Sequence, residues 1–310
     1  MMSKKLLITG GSGMVGRNLL NHPGLINYEV WAPKRAELDL FDEQAIKEAI
    51  FSYTPDFIIH CAGRVGGISA NMANPVEFLV ENLDVGRNVL LAARDSDLDL
   101  RVINLGSSCI YPKDHSDTLK EEDLLTGQLE PTNLGYALAK LTVIKLGEFI
   151  SSSSSKVICK SLIPCNLYGP YDKFDLNKAH LIPSVIHKVH MAKYNQDKEI
   201  TIWGTGQVRR EFMYASDMAS SIFYAIDNFD EAPSILNIGW GSDHTIYDYY
   251  STVASVLGWE GKFNFDLSKP EGMKRKLLDV SKQEDWGWKP SVSLEEGIKK
   301  TYDYFLNKFQ

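Results

Sequence analysis

The chain has 310 residues, 44% of them hydrophobic and 24% charged, with a formal net charge of −7. That is enough chain to bury a large core, in one large domain or two unequal ones. The acidic balance and the scattered Lys and Arg argue against a nucleic-acid footprint or a polybasic membrane surface, and no apolar run reaches membrane-spanning length.

The N-terminal "MMSKKLLITGG" passes from two lysines straight into a short apolar strand and a glycine turn, without the h-region and cleavage site of a signal peptide. Four cysteines, Cys61, Cys109, Cys159 and Cys165, show no CxxC spacing and no metal-type pairing with histidine. Reduced thiols in a cytoplasmic protein without a metal site are therefore expected.

In chain order, "KLLIT", "YEVWA", "FIIHCA", "RVINL" and "VICKSLIPC" read as buried strands, with helical stretches such as "DEQAIKEAIFSY" and "VEFLVENLDVGRNVLLAARD" between them. The alternation predicts an α/β fold: a Rossmann-type, doubly wound parallel sheet with right-handed crossovers. From about Asn166 the pattern loosens into irregular stretches around "YGPYDKFDLNKAH", "WGTGQVRREFMYASD" and "FDLSKPEGMKRKLLD". Residues 1–165 are expected to form the dinucleotide-binding domain and carry the catalytic residues. Residues 166–310 are expected to form mainly a smaller C-terminal substrate-binding lobe, with some segments returning to the first domain. The serine run 151–155 reads as a solvated connector between a helix end and the next strand.

Within "LLITGGSGMVGRNLL", Gly10-x-x-Gly13-x-x-Gly16 lies between the first strand and a helix. Glycines there permit a tight turn and close approach of a pyrophosphate to the helix N-terminus. Gly10, Gly13, Met14, Val15 and Gly16 are the expected cofactor contacts, and a purely structural turn is the bland alternative. The second strand is followed by "PKRAELDL", with no acidic residue at its tip to hold a ribose. Lys34 and Arg35 stand there instead and suit a 2′-phosphate, so NADP (NADPH) is expected over NAD, with Arg35, Asp39 and Leu40 beside it.

The stretch "LGSSCIYP" sets Ser107, Ser108 and Cys109 where an apolar strand ends. Further on, "GYALAK" spaces Tyr136 and Lys140 four apart, on one helix face. A phenol ordinarily titrates at about 10, and a neighbouring cation is expected to bring it down. Such a pair alone is commonly a surface feature; its position after "GSS" changes the weighting. Ser107 can hydrogen-bond a substrate carbonyl while Tyr136 gives a proton to its oxygen as a hydride arrives from the nicotinamide. Taken alone, Cys109 reads as a small buried hydrophobe and His180 as a helix-start residue.

Together, "GGSGMVG", "RVGGISANMANP", "LGSSCIYPK", "LEPTNLGYALAK", "CNLYGPYDKF", "AHLIPSVIHKVHMA", "WGTGQVRREFMY", "LNIGWG" and "KPEGMKRKLLDVSK" span nearly the whole chain. They resemble the extended short-chain dehydrogenase/reductase family, and within it the 3,5-epimerase/4-reductases that turn GDP-4-keto-6-deoxy-D-mannose into GDP-L-fucose. "SSCIYP" and "RKLLDV" are the most specific segments. The resemblance implies a reductase triad of Ser107, Tyr136 and Lys140, Lys140 also serving the cofactor, with Cys109 and His180 as epimerisation residues. It matches Lys188, Arg210 and Lys276 to positions that hold the phosphates or guanosine, and adds Asn166 and Trp203 as substrate contacts. "EFMYASDMA" departs from the family's more acidic version, keeping only Asp217, and is expected to be a surface variation. A homodimer through the helices "VEFLVENLDVGRNVLLAA" and "GYALAKLTVIKLGEFI" is also implied.

The implied chemistry is coherent. A 4-keto group acidifies the hydrogens on C3 and C5, since each carbanion is an enolate, and inversion needs a base on one face and an acid on the other. Cys109 would be the base and His180 the acid. Two other readings stay open: the same or partial chemistry on a related GDP-4-keto sugar of the colitose or 6-deoxyheptose type, and a non-catalytic NADP-binding sensor. The retained Ser107, Tyr136 and Lys140 argue against the sensor.

Overall fold

The structure is a computed structural model that describes residues 3–114, 117–175, 179–269 and 273–309. Its first half runs β1 (Lys4–Thr9), α1 (Met14–Leu20), β2 (Tyr28–Trp31), α2 (Glu43–Tyr53), β3 (Phe57–His60), α3 (Ile68–Ala73), α4 (Pro75–Arg94), β4 (Leu100–Leu105), α5 (Leu134–Ser153) and β5 (Val157–Pro164). There follow β6 (Asn166–Tyr168), α6 (Leu181–Asn195), β7 (Glu199–Trp203), β8 (Arg209–Arg210), β9 (Phe212–Tyr214), α7 (Ala215–Asp227) and β10 (Ile235–Ile238). The chain closes with β11 (His244–Thr245), α8 (Ile246–Leu257), β12 (Lys262–Asp266), β13 (Arg275–Lys276), α9 (Ser281–Trp286) and α10 (Leu294–Phe309).

A six-stranded sheet in the order β10-β5-β4-β3-β1-β2, parallel throughout, forms the centre. All five expected strands belong to it. The apolar runs of β1 and β3 to β5 follow from burial on both faces, with alternate residues serving opposite layers, whereas β2, at the sheet edge, is not the buried strand expected: Glu29 is exposed and Tyr28, Val30 and Trp31 are only partly buried. Leu6, Ile8, Phe57 and Ile59 pack with Met218 and Ile222 of α7 on one side. Leu7, Ile58 and Val102 pack with Ile46 of α2, Leu90 of α4 and Val143 of α5 on the other. Strand order reverses between β1 and β3, opening a crevice at their C-terminal ends where such sheets hold ligands.

A separate core joins Ile182 and Ile186 of α6, Tyr249 and Val253 of α8, and Ile298 and Phe305 of α10. From the same half of the chain, however, Met218, Leu236 and Trp288 belong to the core of the central sheet. The stretches that read as irregular contain small sheets: β6 with β9, β8 between β11 and β13, and β7 with β12.

Two further expectations need correcting. Ser151 is no solvated connector: its hydroxyl accepts from Cys159 N–H at 2.7 Å and lies 3.3 Å from Cys159 O. Because β10 pairs with β5 only from Ser161 onward, Ser151 serves the strand edge that β10 leaves uncovered. Asp217 is likewise buried, accepting from Ser291 Oγ and Val292 N–H at 3.0 Å each, so its segment anchors a turn rather than decorating the surface.

Candidate active site

At the crevice between β1 and β3 lies a cavity of ≈ 400 Å³, lined by residues 9–13, Arg35, residues 38–41, residues 61–64, Glu81 and Val85 among others. Gly10 has φ +72°, and a Cβ there would sit 2.6 Å from Ala62 N. At Gly16 a Cβ would meet Gly10 O at 2.3 Å, so only glycine lets α1 start this close to the turn. No side chain caps α1 at Gly13 and no acidic residue occupies its first turn, which leaves backbone N–H groups for an anion.

The structure distributes the expected cofactor residues unevenly. Gly10, Gly13, Arg35, Asp39 and Leu40 line the cavity. Met14 and Val15 form the first turn of α1, with Val15 packed on the core, so they offer backbone rather than cavity wall. Arg35 Nε stands 3.8 Å from Asp39 Oδ1 and its guanidinium lies 5.2 Å from the Phe41 ring centroid, while Lys34 is outside the lining. Sequence reading missed the turn at residues 61–64. There Arg64 N–H donates to Asn82 Oδ1 at 3.0 Å, and the Arg64 guanidinium pairs with Glu81 at 2.6 Å. "HCAGRVGG", a glycine-bearing turn straight after an apolar strand, was the signal for it. The glycine turn, the uncapped helix and an arginine at the rim together fit a phosphorylated nicotinamide dinucleotide.

Beyond β4, Ser107 caps a single 3-10 turn, Ser108–Ile110, which holds Cys109 inward. The Cys109 thiol donates to Ser107 Oγ at 3.2 Å. Burial pushes that thiol up from its ordinary range, opposed first by the Lys276 cation, then by Ser107 and Lys140. Cys109 and Lys276 border one small cavity of ≈ 30 Å³ with Ser108, Glu130, Asn133 and Met273.

The Tyr136 phenol is also pushed up by burial, with the Cys109 charge adding and the Ser107 hydrogen bond opposing. The lowering expected from Lys140 is not found. Lys140 Nζ donates instead to Leu105 O at 2.9 Å, and burial draws it down to about 8.

His180 stands at the N-terminal boundary of α6, with Nδ1 3.4 Å from Oδ1 of the buried Asp172. Asp172 was not foreseen, because nothing in the spacing of "DKFDLNKAH" pairs it with His180. The contact raises the imidazole above its ordinary value, against a smaller effect of burial.

Among the expected substrate residues, Lys276 and Arg210 are paired across β13 and β8, and Arg210 Nη1 donates to Arg209 O and Met273 O at 2.7 Å each. Lys188 Nζ is 3.2 Å from Tyr250 Oη and 5.7 Å from the centroid of the Trp203 ring, which is 61% exposed and also lies 5.5 Å from Lys269 Nζ. Asn166 is engaged structurally, its amide donating to Glu211 O at 2.8 Å. Among the described residues no cluster of three or more His, Cys, Asp or Glu could hold a metal ion, and no helix is long and apolar enough to cross a membrane.

A dinucleotide crevice at a topological switch point, abutting a Ser/Tyr/Lys group, defines an enzyme that moves a hydride at a carbonyl carbon of its substrate. The chain belongs to the NAD dependent epimerase/dehydratase family, whose model matches residues 6–239. It is 51% identical to a GDP-L-colitose synthase of Yersinia pseudotuberculosis, over 98% of each chain. It is 45% identical to a GDP-L-fucose synthase of Azorhizobium caulinodans, over 98% of this chain and 96% of that one. Among solved structures, a GDP-mannoheptose C4 reductase of Campylobacter jejuni with NADP bound superposes with a TM-score of 0.87 at 28% identity, over 99% of each chain.

Proposed function

We propose that the chain is an NADPH-dependent 3,5-epimerase and 4-reductase of the GDP-L-fucose synthase type, acting on GDP-4-keto-6-deoxy-D-mannose. The observation that carries this reading is the thiol of Cys109 within 3.2 Å of Ser107, at the strand end where Tyr136 and Lys140 also gather. A plain reductase has no use for a thiol there.

Cys109, as thiolate, takes the proton from C3 or C5, and His180 returns one to the opposite face. Ser107 and Tyr136 hold the enolate oxygen meanwhile. NADPH, when bound, supplies the hydride to C4. Tyr136 then gives its proton to the C4 oxygen, and Lys140 steadies the cofactor's ribose side. Lys188, Trp203, Arg210 and Lys276 hold the GDP: cations for the diphosphate, the exposed indole for the guanine. Arg35 selects NADPH by meeting its 2′-phosphate.

A second reading has its own support, the 51% identity to a GDP-L-colitose synthase. On a 4-keto-3,6-dideoxy sugar, C3 is a methylene with no configuration to invert, so the same residues would epimerise at C5 only. Measuring kcat/KM for both GDP-4-keto sugars with NADPH separates the readings. The fucose reading requires the 3-hydroxy substrate to be preferred; a strong preference for the 3-deoxy sugar would replace it.

The same proposal covers assembly and place. Val76 and Val80 on α4 are 65% and 45% exposed, and Leu138 and Phe149 on α5 are 41% and 68% exposed. This apolar stripe on two packed helices suits a four-helix contact with a second copy. The four unpaired thiols suit a reducing cytoplasm.

A further inference from the structure

We propose that Asp172 is the positioning residue for His180: its carboxylate fixes Nδ1–H toward the protein, so that Nε2 faces the sugar carrying the proton to be delivered. The inference rests on the epimerase reading and assigns a role to a residue that reading does not use.

The geometry is specific. Asp172 Oδ1 lies 3.4 Å from His180 Nδ1, and Asp172 Oδ2 and His180 Nδ1 are both buried without a hydrogen-bond partner in the described structure. A buried polar atom left unpaired is costly, and the carboxylate set beside Nδ1 through Oδ1 is what offsets that cost here. The carboxylate is held firmly. Lys173 N–H donates to Asp172 Oδ1 at 2.7 Å, and Asp172 N–H reaches back to Gly169 O at 3.3 Å.

The loop itself is pinned to the cofactor-binding helix. Asn18 of α1 donates to Pro170 O at 3.3 Å, Asn21 reaches Tyr171 Oη at 3.2 Å, and Arg17 lies 5.3 Å from the Tyr171 ring. On its far side Phe174 is buried and its carbonyl meets His187 Nδ1 at 2.7 Å. Asp172 thus sits on a short segment tied at both ends, as an orienting carboxylate must.

Among the described residues, two charged groups act on His180. Asp172 favours the imidazolium, and Lys173 opposes it, its ammonium donating to Val65 O at 3.3 Å. Next to Val65, Arg64 is occupied by Glu81. An acid that must be protonated while a nearby thiol is not needs such a counter-charge, because the environments of the pair have to pull their proton affinities in useful directions. In each inversion one proton leaves carbon for the Cys109 sulfur and one passes from His180 Nε2 to the opposite face, so charge and protons balance.

The test is an NMR titration of histidine-labelled protein, with the His180 signal assigned by its loss in His180→Asn, run on wild type and Asp172→Asn. The pH profile of solvent exchange into GDP-4-keto-6-deoxymannose is followed in the same proteins. Wild-type His180 should titrate above the ordinary histidine value. Asp172→Asn should lower its proton affinity by about 10-fold or more, shift the alkaline limb of the exchange profile to lower pH, and slow exchange at neutral pH on the order of 10-fold. NADPH affinity should stay unchanged. An unmoved titration and limb in Asp172→Asn would overturn the proposal. Should that variant not fold, a wild-type His180 titrating at or below its ordinary value overturns it equally. If wild type exchanges no GDP-4-keto sugar, the epimerase reading falls, whereas the titration still reports on the pair itself.

Discussion

Burial takes Lys140 from 10.5 down to about 8, while its ammonium donates to Leu105 O at 2.9 Å. A shift of that size is worth about 3 kcal/mol against the charged folded state. Because the folded value lies below the unfolded one, the penalty is fully present below about pH 8 and is relieved as pH rises toward 10.5. Lys140→Met should remove it and strand the Leu105 carbonyl at about 1 kcal/mol, for a net gain of about 2 kcal/mol at pH 7. Urea unfolding checks this, and an unchanged or lower midpoint contradicts it; NADPH oxidation should fall regardless. Tyr136→Phe should cut NADPH oxidation by a factor on the order of 10² or more and leave part of the C3 and C5 exchange, since Cys109 and His180 remain. A variant that loses exchange as completely as reduction would mean the phenol also serves enolisation. The shared face of Tyr136 and Lys140 was legible from their spacing of four. Where the ammonium goes was not, because the Leu105 carbonyl that receives it comes from β4, 35 residues earlier in the chain.

At the scale of elements, legibility followed length and burial. Strands β1 and β3 to β5, bounded by turn residues and apolar on both faces, announce themselves in sequence. Strands β8, β11 and β13 have two residues each and carry no periodicity to read. Yet β8 and β13 bring Arg210 beside Lys276, so these proposed substrate contacts could be reached only by resemblance. Asp172 escaped for the same kind of reason: its segment carries no periodicity, and it is held by contacts distant in sequence, Asn18 to Pro170 O and Asn21 to Tyr171 Oη. Ser151 shows composition misleading outright. Five consecutive serines look like solvent-facing linker, yet the first repairs a strand edge at Cys159. Ser151→Ala should therefore destabilise the fold by about 1–3 kcal/mol through an unpaired buried N–H. Ser152→Ala, whose exposed hydroxyl returns only to its own helix, should stay within about 0.5 kcal/mol of wild type. Similar unfolding midpoints for the two variants would refute the distinction.

For the whole molecule, α4 and α5 meet closely enough that a Cβ on Gly135 would touch Pro75 O at 2.6 Å and one on Gly86 would touch Val143 at 2.6 Å. Val76, Val80, Leu138 and Phe149 are the exposed apolar residues of this closely packed pair. Wild type should sediment as a dimer at micromolar concentration, and the double variant Val80→Glu with Leu138→Glu as a folded monomer, because charges placed on an apolar contact are desolvated without partners. A wild-type monomer would remove the dimer altogether, and a double variant that remains dimeric would place its interface elsewhere. Both helices reach the site, since Glu81 and Val85 of α4 line the cofactor cavity and α5 carries Tyr136 and Lys140, the proposed catalytic pair. Monomerisation is accordingly expected to weaken NADPH binding.

The central claim is that one site epimerises through Cys109 and reduces through Tyr136. It is tested most directly by incubating wild type and Cys109→Ala with NADPH and GDP-4-keto-6-deoxymannose in heavy water, then reading deuterium in the sugar by mass and NMR. Wild type should yield GDP-L-fucose labelled at C3 and C5, and Cys109→Ala a sugar without either label at unchanged NADPH affinity. Labelling of both carbons by Cys109→Ala at the wild-type rate would contradict the account.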